Sequence, residues 1–178
     1  DYRGYAGRVA SGVFRPGDEV TVLPSGFTSK IKSIDSLTGA IEEAFAPMSV
    51  SMTLEDDIDI SRGDMIVRSN NTPDALQDIE VMLCWLHNNP AKPRAKYSIR
   101  HTSNEQKAMI KEVVYKYDIN TLERIQDDKE LTMNDISKVR IRTTKPLMVD
   151  SYRENRVTGS VILVDDTTNE TVAAGMIV

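Results

Sequence analysis

Apolar residues in this chain recur in short runs, mostly with a period of two, and polar residues with Gly or Pro separate the runs. Val50, Met52 and Leu54 alternate cleanly with polar neighbours, as a half-buried strand requires. Tyr5 to Ala10 and Glu19 to Leu23 flank Pro16-Gly17-Asp18, where proline presets φ and glycine admits the positive φ of a tight turn. Pro24-Ser25-Gly26 closes the next reversal, and Thr28 to Ile34 places Ile31 and Ile34 near a bulge or a strand end. Asp64 to Val67 follows Arg62-Gly63 as another strand. Ile79 to Leu86 is almost continuously apolar around Trp85, interrupted only by Glu80, and predicts a buried strand ended by Asn88-Asn89-Pro90 and Pro93. Further strands are predicted over 97–101, 108–117, 139–143, 159–164 and 171–178. Helical periodicity is absent, with room for one short turn between Leu122 and Asp128.

The pattern predicts an all-β chain of two consecutive closed β-barrels, closure being the way such folds remove exposed sheet edges. The segments 4–26 and 151–178 read as barrel hairpins. The polar, proline-bearing stretch Ser69 to Asp74 is the best linker, which divides the chain into barrels over 1–74 and 75–178.

Composition narrows the function. The 178 residues carry 27 acidic and 22 basic side chains, a net charge of −5. That balance speaks against nucleic-acid binding across the whole surface, which rests on Lys and Arg neutralising phosphates, though a local basic patch remains open. A single cysteine, Cys84, cannot form an internal disulfide, which fits a reducing cytoplasm. No apolar stretch of about 20 residues is present to span a membrane, and no signal peptide precedes the first strand. The chain opens at Asp1 without methionine and enters a strand at once, which reads as an excised piece of a longer protein.

Catalytic chemistry is sparse. A phosphate loop needs glycines and a Gly-Lys ending, and the chain has no Gly-Lys pair and no Asn-Lys-x-Asp element. Asp1-Tyr2-Arg3-Gly4 matches a four-residue GTPase switch pattern but has no phosphate loop before it. Cys84, His87 and His101 are the only soft metal ligands, and residues 84 and 87 of a strand face opposite ways; Cys84 reads as a small core residue and the histidines as loop or surface residues. No nucleophile elbow is present. We therefore expect no catalytic, cofactor-binding or metal residue in the chain itself. Glu55, Asp56, Asp57 and Asp59 read as a solvated acidic loop. Lys92, Arg94, Lys96 and Arg100 share one face if their segment is extended, either as a solvated face or as a patch for a partner, a domain or an anion. Tyr97 lies opposite that face, so no aromatic platform for stacking bases accompanies it.

GYAGRVASG at 4–12 and PGDEV at 16–20 resemble the second domain of translation-type GTPases. LPSG at 23–26, EEAFAP at 42–47, LEDDIDISRGDMIV at 54–67, YDINTLER at 117–124, LTMNDI at 131–136 and YRENRVTGSVILVDDTTNETVAAGMI at 152–177 resemble the large, GTPase subunit of bacterial ATP-dependent sulfate adenylyltransferase. The resemblance implies barrels like domains 2 and 3 of translation-factor-type GTPases, preceded by a GTPase domain that holds GTP and Mg. It implies a small catalytic subunit that makes adenylylsulfate and pyrophosphate from ATP and sulfate, driven by GTP hydrolysis, and in some relatives a fused adenylylsulfate kinase domain. It carries no catalytic residue onto this chain. Tyr152, Glu154, Asn155 and Arg156 form a polar cluster before a buried strand and are candidate interface residues, as are Arg94 and Lys96. An internally bonded corner closing the last hairpin is the other reading of 152–156. Two other functions stay open: a translation elongation factor fragment that binds tRNA, and a free-standing barrel interaction module.

Overall fold

A computed structural model describes residues 2–92 and 94–178, so the switch-like match that begins at Asp1 and the break assigned to Pro93 lie outside the described residues. All regular structure among the described residues is β, and the chain divides into one unit over 1–73 and another over 74–178.

The first unit holds β1 (Tyr5–Arg8), β2 (Val13–Phe14), β3 (Glu19–Leu23), β4 (Thr28–Ser36), β5 (Gly39–Ala40), β6 (Ala44–Phe45), β7 (Ser49–Leu54) and β8 (Met65–Arg68). Its main sheet runs β1-β7-β4-β3-β8, with β5 on β4 and a separate β2–β6 pair. Val20, Val22, Ile31, Ile34, Val50, Met52 and Leu54 point into one core. The three-residue spacing of Ile31 and Ile34 is reconciled by a register shift between Ile31 and Ser33, which returns both to the buried face. The turn at Pro16 forms, with the Asp18 amide donating to the Arg15 carbonyl at 3.1 Å and Gly17 at φ 91°.

The segment 4–26 is not a hairpin. β1 pairs with β7, and β3 pairs with β4 and β8. The turn residues mark where the chain reverses, but β2 carries it from one sheet to another before the reversal. Among the described residues the first unit's ladder ends at β1 and β8.

The second unit holds β9 (Asp74–Trp85), β10 (Lys96–His101), β11 (Asn104–Tyr117), β12 (Arg124–Ile125), β13 (Ile136–Val149), β14 (Ser160–Val164) and β15 (Thr171–Ile177). The antiparallel order β10-β14-β15-β9-β13-β11 returns from β11 to β10, a closed six-stranded ring with β12 added outside β11. Ile79, Val81, Leu83, Trp85, Ile99, Val139, Ile141 and Leu163 fill it, and Trp85 meets Tyr97 edge-on at 5.8 Å. Strand β15 pairs with β9, Gly175 facing Leu83, and a Cβ on Gly175 would lie 2.3 Å from Val81 Cγ1.

Three expectations change in this unit. The run 79–86 is not buried on both faces, because Glu80, Met82 and Cys84 lie on the outer side and are only partly covered. Cys84 is therefore not a core residue. His101 is neither loop nor surface: it is 2% exposed at the end of β10. The segment Leu122 to Asp128, which had room for one short turn at most, holds the short strand β12, and that reading stands.

Candidate functional site

The hairpin β14–β15 is closed by a corner built from 150–160. The Tyr152 amide donates to the Ile177 carbonyl at 2.9 Å, and the Ile177 amide donates to Gly159 at 2.8 Å. Asn155 Oδ1 accepts from the Val157 amide at 2.9 Å, and Ser151 Oγ lies 3.1 Å from Glu154 Oε2. Thr158 Oγ1 donates to Asp150 at 2.6 Å. A Cβ on Gly159 would stand 2.4 Å from Tyr152 Cα and 2.7 Å from the Asn155 carbonyl oxygen, so the corner is tight against its own backbone. Glu154 and Asn155 thus spend their polar atoms inside the corner, while Arg156 is exposed.

His101 supports this corner from the barrel interior. Its Nε2–H donates to the Thr158 carbonyl at 2.6 Å. Burial pushes the imidazole below its ordinary pKa, opposed by that hydrogen bond and by Asp150. Lys96, at the opposite end of β10, stands five residues from His101, about 16 Å along the strand. The structure therefore does not gather Arg94 and Lys96 with the Tyr152–Arg156 cluster.

Nor do Lys92, Arg94, Lys96 and Arg100 share an extended face. The Ala95 amide donates to the Lys92 carbonyl at 3.1 Å and Arg94 takes φ 57°, so the first two lie on a turn before β10 begins. Period-two reasoning failed there because the segment is not a strand. Arg100 is bonded to Glu105 at 2.9 Å. In the first unit, the acidic loop is gathered by Arg3, which reaches Asp57 at 2.5 Å and Asp59 at 2.9 Å, while Asp56 accepts from Ser29 at 2.8 Å. Among the described residues no group of three or more His, Cys, Asp or Glu could hold a metal ion.

The most distinctive constellation was not singled out by chemistry in the sequence. Lys116, on β11, points inward with 7% of its side chain exposed. Its Nζ lies 2.6 Å from Asp128, 2.8 Å from Asp135 and 2.9 Å from the Glu130 carbonyl. Burial alone would lower its pKa, but the two carboxylates raise it above the ordinary lysine value. The ammonium thereby ties the segment after β12 to the end of the barrel. Asp135 also accepts from the Thr132 amide at 2.7 Å, which uses the LTMNDI motif as an internal turn.

Beside this clamp, on the outer face, lies a 490 Å³ groove lined by Tyr117, Ile119, Leu122 and Ile136. Tyr117 and Ile136 are cross-strand partners at the ends of β11 and β13. Ile119 and Leu122 come from the β11–β12 turn, which Asp118 organises by accepting from the Asn120 and Thr121 amides at 2.8 and 3.1 Å. Tyr115 meets Tyr117 edge-on at 5.3 Å, and the Arg124 guanidinium lies 4.6 Å over the Tyr115 ring.

Two β units, the second a closed antiparallel ring, define the class: an all-β fold similar to the β-domains of translation factors. In fold the chain is similar to Sup35 in a crystal structure of its GDP complex, with a TM-score of 0.88 over 99% of this chain and 45% of that one at 16% identity. Residues 78–178 match the GTP-eEF1A C-terminal domain-like family, and the chain belongs to it. Over its whole length the chain is similar to a bifunctional enzyme CysN/CysC from Mycobacterium tuberculosis, at 48% identity over 99% of this chain and 29% of that protein. It is likewise similar to sulfate adenylyltransferase subunit 1 from a Sulfurovum species, at 44% identity over 100% of this chain and 39% of that protein. The resemblance to sulfate adenylyltransferase read from the motifs is thus borne out. The chain spans well under half of the curated relatives it matches.

Proposed function

We propose that this chain is a non-catalytic part of the GTPase-bearing large subunit of a sulfate adenylyltransferase, serving assembly and transmission. The observation that carries the reading is the breadth of similarity. It covers both β units at 44–48% identity, whereas likeness of fold alone persists at 16%.

On this reading the whole enzyme transfers AMP from ATP to sulfate. A sulfate oxygen attacks the α-phosphorus, the bond to pyrophosphate breaks, and adenylylsulfate forms. That product is a mixed anhydride, so synthesis is uphill and needs free-energy coupling to GTP hydrolysis at another site. GTP and Mg do not fit this chain, which lacks any Gly-Lys phosphate loop, and no step runs through its side chains. They belong to a GTPase domain outside these residues. The partners are that domain, the small catalytic subunit and, in fused forms, an adenylylsulfate kinase domain. Neither nucleic acid nor membrane is a partner, and the compartment is the cytoplasm. Rigid barrels suit transmission because linked domains commonly move as bodies about their interfaces.

Reconstitution tests this. The full-length large subunit is mixed with the small catalytic subunit, and adenylylsulfate formation from ATP and sulfate is followed with and without GTP. GTP-stimulated synthesis supports the reading, and synthesis indifferent to both GTP and the large subunit overturns it. The likeness to Sup35 favours a second reading, a translation factor fragment binding tRNA. Filter binding at low salt separates the two, because tRNA capture would bring a steep salt dependence that a net charge of −5 opposes.

A further inference from the structure

We propose that residues 2–5 are a releasable strap: Arg3 fastens the lead-in to β1 onto loop 55–59, and the two segments loosen together when its ion pairs part. One consequence rests on the proposed function, and the strap itself does not. With a GTPase domain on the amino-terminal side of β1, the strap is the path by which that domain's movement reaches the first unit.

Three side chains within four residues reach the same place. The Tyr2 hydroxyl lies 3.3 Å from Ser51 Oγ on β7. Arg3 donates from Nη1 to Asp57 at 2.5 Å and from Nη2 to Asp59 at 2.9 Å. The Tyr5 hydroxyl donates to the Ile58 carbonyl at 2.6 Å. Gly4, between them, has no room for a side chain. A Cβ there would lie 2.6 Å from both Ser51 Oγ and the Tyr2 hydroxyl oxygen, so the lead-in runs directly against β7. The loop that Arg3 grips is itself anchored. Ile58 is buried in the first unit's core, Asp56 accepts from Ser29 at 2.8 Å, and the Glu55 amide donates to the Lys30 carbonyl at 2.9 Å. A pull on Arg3 is thus passed to β4 as well as to β7.

Exposure makes the strap releasable. The Arg3 side chain is 48% exposed, Asp57 78% and Asp59 93%. Ion pairs this open contribute little individually and are screened by salt. The flat guanidinium spans both carboxylates, which the point charge of a lysine does not reproduce. Loop 55–59 carries Glu55, Asp56, Asp57 and Asp59, and Arg3 compensates two of them. When it leaves, that acidic run loses its cation, and repulsion loosens the loop. The part-buried Tyr5–Ile58 bond stays as the hinge.

The test is hydrogen exchange of the full-length large subunit, read on peptides covering 2–9 and 54–60 of this chain, with thermal melts to confirm that each variant folds. At low salt Arg3→Gln is expected to speed exchange about threefold or more in both peptides, the scale of two exposed pairs. Asp57→Asn with Asp59→Asn should reproduce that change, and adding Arg3→Gln to it should change nothing further. Arg3→Lys should recover only part of the protection. High salt should bring the wild type to the level of Arg3→Gln and leave that variant unmoved. Arg15→Gln, which breaks the exposed pair with Glu43, is the control and should leave both peptides as in wild type. Unchanged exchange in Arg3→Gln, or a change in only one of the two peptides, overturns the strap. GTP-stimulated synthesis with the small catalytic subunit is then compared. A wild type that shows no stimulation removes the proposed function while the exchange result still supports the strap. A wild type that is stimulated, beside a loosened Arg3→Gln that is stimulated equally, overturns the strap as the path of transmission.

Discussion

Lys116 Nζ lies 2.8 Å from Asp135 Oδ2, with 7% of the lysine side chain and 22% of the aspartate exposed. The pair, with Asp128 as a second and more exposed acceptor, holds the segment after β12 against the end of the barrel. Lys116→Met keeps the aliphatic stem but leaves Asp135 half-buried without its cation. We expect a loss of about 2–3 kcal/mol, at the low end for a broken buried pair because both carboxylates see solvent. Denaturant unfolding at pH 7 measures it, and a loss under about 0.5 kcal/mol would mean the clamp adds nothing to stability.

The same cluster sets a pH dependence. Burial would raise the Asp135 pKa, but Lys116 and the Thr132 donors bring it below the ordinary carboxylate value, and Lys116 likewise lowers Asp128. Their contribution is present above about pH 4 and is lost as pH falls through the depressed folded values. At the alkaline end Lys116, raised above the ordinary lysine value, contributes fully below about pH 10 and loses its share as pH rises through the raised value. Unfolding midpoints of wild type and Lys116→Met should therefore converge at both extremes. A constant gap across the whole range would contradict the clamp.

His101 gives a separate signature nearer neutrality. Its folded pKa lies below the ordinary value because burial disfavours the imidazolium. The unfolded chain then binds protons first, so stability is full above about pH 6.5 and declines as pH falls toward the depressed folded value. Replacing it with asparagine should flatten the slope of melting temperature between pH 7 and pH 5, whatever the change in absolute level. An unchanged slope would place the proton uptake on another group.

Gly159→Ala should be severe. The new Cβ would meet the Tyr152 backbone at 2.4 and 2.5 Å, and backbone cannot swing aside as a side-chain tip can. A loss of about 3 kcal/mol is expected by equilibrium unfolding. Asn155→Ala, which removes the side-chain oxygen accepting from the Val157 and Thr158 amides, should cost about 1 kcal/mol. Equal losses for the two would mean the corner is not closely packed.

The all-β class was legible because alternation survives wherever one face of a strand is buried, as at Val50, Met52 and Leu54. Even the bulge at Ile31 showed in a spacing of three. Strand β9 hid its alternation because its outer positions include Met82 and Cys84, apolar residues partly covered from outside. His101 could have been found: Tyr97 and Ile99 point inward, and period two places residue 101 on the same face. Lys116 could not. Two register shifts in β11 space its buried residues as Ala108, Val113 and Lys116, a pattern that mimics no regular face. The pairing of β1 with β7 was hidden for another reason, since turn chemistry is local and strand partners are not. The groove escaped because Ile119 and Leu122 sit in a turn, where periodicity carries no meaning; their signal was apolar bulk within the polar stretch YDINTLER.

On the proposed reading these barrels are an assembly part of a sulfate adenylyltransferase and bind no nucleotide themselves. Calorimetric titration of the 178-residue chain with the small catalytic subunit, with GTP as a parallel ligand, tests it most directly. Saturable heat with the subunit and none with GTP is the predicted result. No heat with the subunit, or saturable heat with GTP, would contradict it.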